Sequence, residues 1–276
     1  MENIIVVRGA GDLSTAIIHR LNRCGFKVVA LEIDKPLAIR REVAFSEAVY
    51  TGEMTVEGVN CKLCKTIDEI EDTINNKNVA LVVDAKGEYI KKLNPSVVID
   101  AILAKKNLGT TKDMANLTIG LGPGFCAGED VDIVVETMRG HNLGRVITEG
   151  FAMKNTGVPG SINGISKDRV VYSNSCGEIK TLANIGDIVK KNQVLAYIID
   201  EKNNKHEVKA TIDGLLRGII RDGAIVPNNL KILDIDPRLE ELKNSYTISD
   251  KGRCISGGVL EAILSNCEIF SCTKKY

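Results

Sequence analysis

The strongest constraint on how this chain folds lies in its first 32 residues. Ile4-Ile5-Val6-Val7-Arg8 is an apolar run that meets Gly9 and Gly11 at once. An apolar-periodic stretch over residues 13–21 follows, then a second apolar run, Lys27-Val-Val-Ala-Leu-Glu32, that ends on a carboxylate. Strand, tight glycine turn, helix and acid-tipped strand in that order is the layout of a dinucleotide-binding βαβ unit.

Each residue type has a physical reason to stand where it does. Gly9 accepts the backbone angles of a sharp strand-to-helix turn, and Gly11 carries no Cβ where a pyrophosphate would approach. The first N–H groups of the following helix, over Ala10, Gly11, Asp12, Leu13 and Ser14, attract an anion. Glu32, 21 residues after Gly11, stands where a carboxylate would accept hydrogen bonds from a ribose. Two positions depart from the pattern: Ser14 replaces the third glycine, and Asp12 puts negative charge beside the phosphate position, where it serves equally as a helix cap. Arg40 and Arg41 follow the second strand. They offer positive charge to a far phosphate or pair with Glu42 and Glu47 on the surface.

Further along, Val79-Ala-Leu-Val-Val-Asp84 reads as a central parallel strand. Residues 95–105 fit a helix or a short strand. The run Thr118-Ile-Gly-Leu-Gly122-Pro-Gly124-Phe-Cys126 is a strand entering a glycine-rich loop, and residues 131–137 are the next strand. Loops leaving Gly9, Asp84, Gly122 and Arg139 project from one sheet edge, with Arg139, His141 and Arg145 as anion contacts. The candidate ligand-binding set is therefore Gly9, Ala10, Gly11, Asp12, Leu13, Ser14, Glu32, Arg40, Gly122 and Gly124. No catalytic residue and no metal ligand is assigned.

Acidic and basic residues balance at 36 each, which excludes a global basic field for nucleic acid. No apolar run approaches the ~20 residues of a membrane span, and the opening residues lack a charged-then-apolar leader. A cytoplasmic protein is expected, with no membrane partner and with homo-oligomerisation left open. Eight cysteines in a reducing compartment read as thiols, the single pair Cys61-Lys-Leu-Cys64 included.

The turn-rich residues 155–164 mark a boundary. Beyond it, residues 177–198 align without gaps on residues 214–235, placing Gly177 on Gly214, Gly186 on Gly223, Ile188 on Ile225 and Asn192 on Asn229. Two such halves would pack as a quasi-symmetric β module, which resembles the barrel-sandwich hybrid of biotinyl and lipoyl domains. The hairpin tip falls on Asn203 rather than on a lysine, so neither biotin nor lipoate is expected. The Gly257-Gly258 pair, ahead of an apolar helix, offers amides to an anion or forms a tight turn. The expected fold class is α/β: a Rossmann-like parallel sheet domain over 1–155, a small all-β barrel-sandwich hybrid module over 165–238 and a C-terminal helical segment over 239–276.

Several motifs together carry a family resemblance: Val7-Arg-Gly-Ala-Gly-Asp-Leu, residues 37–50 from Leu-Ala-Ile-Arg-Arg to Val-Tyr, Ile119-Gly-Leu-Gly-Pro-Gly-Phe, Val134-Val-Glu-Thr-Met-Arg-Gly-His, Asp234-Ile-Asp-Pro-Arg and Ser249-Asp-Lys. On these the chain, from residue 3 to about 265, is similar to the YqeB-like family associated with selenium-dependent molybdenum hydroxylases. Its N-terminal part also resembles the Rossmann domain of XdhC-type xanthine dehydrogenase accessory proteins. The resemblance implies a maturation role for a molybdenum hydroxylase partner, with the molybdenum cofactor or its nucleotide form as ligand and Cys126 or Cys61 as sulfur or selenium carriers. The residues alone leave two other functions open: an NAD(P)-dependent oxidoreductase, and a non-catalytic interaction protein.

Overall fold

A computed structural model describes residues 3–158 and 160–266; Cys267 and Cys272 lie outside them. The chain divides into two units. Unit 1 comprises Met1–Pro36, Ala44–Asn155 and Ile248–Tyr276, and unit 2 comprises Leu37–Val43 and Thr156–Thr247. Each unit is thus interrupted in sequence, whereas the sequence suggested consecutive segments.

Unit 1 opens with β1 (Ile4–Arg8), α1 (Asp12–Arg23) and β2 (Lys27–Glu32), then α2 (Ala48–Thr51) and the hairpin β3 (Glu53–Val56) and β4 (Val59–Leu63). It continues through α3 (Ile67–Asn75), β5 (Val79–Val83), α4 (Glu88–Leu93), β6 (Val97–Asp100), β7 (Leu117–Leu121), β8 (Cys126–Ala127), β9 (Ile133–Val135), β10 (Val146–Ile147) and β11 (Gly150–Phe151). The sheet order is β10-β9-β7-β6-β1-β2-β5-β4-β3. Every residue of β1 is buried, as expected of a strand covered on both faces. It pairs in parallel with β2 on one side, Val6 opposite Val29, and with β6 on the other, Val6 opposite Val98. Residues 95–105 therefore supply a strand rather than a helix. Thr66 caps α3 by accepting the Glu69 N–H, while the Glu69 carboxylate reaches back to the Lys65 N–H at 2.6 Å, a variant of the reciprocal cap of helix starts.

Unit 2 holds β12 (Val170–Tyr172), β13 (Gly177–Thr181), β14 (Ile188–Val189), β15 (Val194–Ile199), β16 (Lys205–Lys209), β17 (Gly214–Ile219), β18 (Ile225–Val226) and β19 (Lys231–Asp236). Two four-stranded sheets run β12-β19-β17-β14 and β16-β15-β13-β18. The repeat crosses over: the short strand of each half pairs with the first strand of the other, β14 with β17 and β18 with β13. Their inner faces bury Ile179, Leu195, Ile198, Leu216, Ile219 and Ile235 in one core. The last helix, α5 (Asp250–Leu264), returns to unit 1 and is capped by Ser249, whose Oγ accepts the Gly252 N–H.

The expected architecture needs correction on both counts. Sheet 1 is mixed, not a Rossmann-like parallel sheet: β3 and β10 close its edges in antiparallel sense, and β6, β7 and β9 are joined by loops and a single 3-10 turn over Lys112–Met114 instead of crossover helices. Unit 2 is not a biotinyl/lipoyl-like barrel-sandwich module. Strands outside the repeat, β12 and β16, complete its sheets, and Leu37 from far upstream packs into its core. The repeat revealed internal symmetry but not what is added around it.

Candidate functional site

The nine-stranded sheet changes direction of growth at β1, which lies between β2, the next strand along the chain, and β6, from which the other half of the sheet is built. Crevices at the carboxyl ends of strands flanking such a point are where open α/β sheets take ligands. The Gly9–Asp12 turn sits there. Gly9 has φ +95°, and a Cβ on it would lie 3.0 Å from the Ala101 carbonyl at the end of β6. The buried Ser14 Oγ donates to that same carbonyl at 2.8 Å. Both residues fasten the turn to β6. Ala10 is buried, and its carbonyl accepts the Ser46 N–H at 2.8 Å.

Gly11, the N-cap of α1, is different. It has φ −66°, its side adds no cap hydrogen bond, and a Cβ built on it would meet nothing within 4 Å. Here the absence of a side chain leaves open space at a helix start. Asp12 and Leu13, in the first turn of α1, are half-buried.

Glu32 does something the sequence did not suggest. Its Oε2 accepts the Ala10 N–H and its Oε1 the Ile33 N–H, each at 2.8 Å. Burial raises its carboxyl pKa, against the lowering effect of those two amides. The carboxylate therefore braces the turn from β2, with both oxygens engaged by backbone. Each Glu32 oxygen thus already accepts one backbone amide of the turn or of the residue after β2.

Gly122 and Gly124 serve the scaffold. A Cβ on Gly122 would strike the Thr137 Oγ1 at 2.3 Å. One on Gly124, at φ +114°, would fall 2.6 Å from the Lys106 backbone nitrogen. The loops after β6, β7 and β9 interlock through these positions. Beneath them the buried Arg8 guanidinium donates to Thr110 and Asp100, and Thr110 Oγ1 donates to Asp100 at 2.6 Å. Arg40 belongs to unit 2, where its Nη2 donates to the carbonyls of Asn244 at 3.0 Å and Thr247 at 2.9 Å.

Four residues, Glu136 and Arg139 after β9 and Asp250 and Lys251 of α5, share an electrostatic neighbourhood with Asp12 of the turn. Glu136, buried, accepts the N–H groups of Thr137, Met138 and Met153 at 2.7–2.8 Å. Arg139 forms a bidentate pair with Asp250, at 2.7 and 3.0 Å. Lys251 stands electrostatically among Asp12, Glu136, Arg139 and Asp250, and burial with the nearby Arg139 lowers its ammonium pKa. Sequence reasoning quoted Ser249-Asp-Lys251 only as a motif; nothing local to it shows that α5 begins beside α1. His141 and Arg145 lie exposed on the loop after β9.

The cysteines are placed as thiols. Cys61 and Cys64 are buried, and burial drives both thiol pKa values up. Cys126 is buried as well, its pKa raised by burial, Glu129 and Asp130. These surroundings disfavour the thiolate that sulfur or selenium transfer requires. Among the described residues no cluster of three or more His, Cys, Asp and Glu side chains could hold a metal, and no helix is long and apolar enough to cross a membrane.

No protein-family model matches the chain. The "uncharacterized protein YqeB" of Escherichia coli (strain K12) is 46% identical over 263 residues, covering 95% of this chain and 48% of that protein. Among solved structures, the product-bound ectoine utilization protein EutE of Ruegeria pomeroyi superposes with a TM-score of 0.28 at 11% identity, over 84% of this chain and 85% of that one. An aspartoacylase family protein of Mesorhizobium loti gives 0.28 at 11%, over 86% and 85%. Superpositions this loose carry no argument about fold or activity, and names of aspartoacylases and desuccinylases add no support for the molybdenum and selenium setting or for the Rossmann and barrel-sandwich labels. The chain spans about half the length of the curated relative it matches, and along 95% of its own residues it is similar to YqeB.

Proposed function

We propose that this chain is an accessory binding protein whose first unit holds a phosphate-bearing small molecule for a partner enzyme. The observation that supports it is the open face of Gly11 at the start of α1, where β1 lies between β2 and β6. Helix amides at such a position favour an anion. The family resemblance supplies one setting, maturation of a selenium-dependent molybdenum hydroxylase in the cytoplasm, and with it the first ligands to try: the molybdenum cofactor and its cytosine dinucleotide form, beside NAD(H) and NADP(H). When bound, such a cofactor would bring its own redox chemistry. This chain's part is to hold the phosphate end at Gly11 within a turn braced by Glu32.

The test is Gly11→Ala. Its methyl enters unoccupied space at a backbone angle every residue adopts, so stability should fall by no more than about 1 kcal/mol, the ordinary cost of a poorer N-cap. Ligand affinity, measured by native mass spectrometry or calorimetry, should drop about tenfold or more as the methyl fills the phosphate position. Unchanged affinity in the folded variant would overturn the reading.

A further inference from the structure

Arg8 ends β1 with most of its hydrogen-bonding capacity unused. Its side chain is 6% exposed, yet among the described residues only Nη1 has partners: it donates to Thr110 Oγ1 and, at 3.4 Å, to Asp100 Oδ2. Nε and Nη2 make no hydrogen bond to any described residue, and neither is sealed from solvent. Buried polar groups of native proteins are satisfied with few exceptions, and arginine is rarely buried this far unless its donors are paired. Two idle nitrogens on such a side chain call for an acceptor from outside the chain.

The fold explains why no side chain supplies one. Alternate residues of a strand share a face, and Arg8 follows Ile4 and Val6, which pack into one apolar cluster with Ile70, Ile90, Leu93 and Val98. That cluster offers the guanidinium no acceptor. The Asp100 carboxylate, opposite Arg8 in register on β6, is already shared: Oδ1 accepts the Ile102 N–H at 3.1 Å and Oδ2 the Thr110 hydroxyl at 2.6 Å. Asp84, just past β5, is taken up by the N–H groups of Gly87 and Tyr89 at 2.9 and 2.8 Å. Gly87 itself stands beside the idle nitrogens. A Cβ built on it would come 3.9 Å from Arg8 Nε, so the bare glycine leaves that flank of the guanidinium uncrowded.

Nε–H and Nη2–H lie on one edge of the planar guanidinium and point the same way, a fork that matches the two oxygens of one carboxylate. We propose that this edge is a carboxylate-binding site, at which Arg8 holds a small organic acid by a bidentate pair at the carboxyl end of β1. Thr110 and Asp100 grip Nη1, across the guanidinium from that edge, and fix the plane so that the fork is presented in one orientation. An ammonium in its place would be a point charge without a paired edge. The site belongs to the sheet face covered by α3 and α4 and stands independently of the reading of Gly11.

The experiment follows the Arg8 Nε–H resonance of the full chain by NMR, assigned through bonds from the Arg8 backbone, as acetate is added. Acetate should shift it saturably, with half-saturation at about 1–10 mM, the range a single charge-assisted fork sustains. Acetamide, of the same size but uncharged, should not. Arg8→Lys, checked for folding by circular dichroism, keeps the charge and removes the edge; its acetate affinity, followed on the Gly87 amide, should fall about tenfold or more. The absence of a saturable acetate shift in the unaltered protein would leave water as the acceptor and overturn the proposal, whether or not the variant folds. An equal shift in sodium chloride at matched ionic strength, an equal response to acetamide, or undiminished acetate affinity in folded Arg8→Lys would each overturn it as well. Saturation by orthophosphate with none by acetate would overturn the carboxylate as the class bound.

Discussion

Asp234→Ala should destabilise unit 2 by about 3–5 kcal/mol, the usual cost of deleting one partner from a buried ion cluster. The Asp234 carboxylate, 1% exposed, accepts from the Arg169 guanidinium on one oxygen and from Arg217 on the other, with Arg217 Nε at 2.8 Å. Lys231 stands at 3.8 Å. Without the carboxylate, Arg169 stays buried with its charge unmet, its Nε still held by the Gly160 carbonyl at 3.0 Å. Hydrogen exchange read on peptides over 214–236 should show the loss locally, in β17 and β19. A change under about 1 kcal/mol would mean the cluster is solvated and contributes as surface pairs do.

The same residue predicts a pH dependence. Burial alone would raise the Asp234 pKa, but Lys231, Arg217 and Arg169 overcome it and hold the group below its ordinary value. A depressed folded pKa gives stability that is fully present above the unfolded carboxylate range and is lost as pH falls through the folded value. Unit 2 should therefore lose this contribution progressively as pH falls from the usual aspartate range toward the lower folded value, and Asp234→Ala should flatten that limb of its stability profile.

Two adjacent glycines of α5 should respond in opposite ways. A methyl on Gly258 would sit 2.0 Å from the Gly144 carbonyl oxygen and 3.0 Å from Val135, neither of which can swing aside. Gly258→Ala should cost several kcal/mol, about 2–4, because the backbones of α5 and the β9–β10 connection must separate. Gly257 would meet only the far end of Arg20, which can move. Gly257→Ala should then be neutral or gain up to about 1 kcal/mol from helix propensity. Thermal melts of the two variants decide it, and similar behaviour of both would refute the packing described. The sequence suggested that this pair offers amides to an anion or makes a turn; instead both glycines lie inside a helix, and one is a contact point.

What the sequence made legible was local. The run at 4–8, the glycines at 9 and 11 and the period of residues 13–21 encode strand, turn and helix through interactions spanning few residues. The alignment of Gly186 with Gly223 and Asn192 with Asn229 was equally visible, and all four have positive φ. Hidden were the tertiary choices. Spacing placed Glu32 near the turn but could not show that its oxygens accept the Ala10 and Ile33 amides. Gly122 and Gly124 looked like a ligand cradle, yet they make room for Thr137 and Lys106. Arg40 stands near the second strand in sequence, but the chain carries it into the other unit. Lys251 was unreadable because nothing local to its motif shows that α5 packs on α1. The connections after β6 and β7 carry little helical period, and loops with one 3-10 turn join those strands.

The placing of α5 has a consequence for how the protein is made. The apolar face of α1 leaves the ribosome long before the helix that packs on it, which is encoded by residues 250–264. All of unit 2 is translated in the interval. The nascent β-rich unit can reach its native form while its host waits, and a transcript cut short before the codon for Asp250 would leave that helix face without its cover, a natural target for chaperones and proteases.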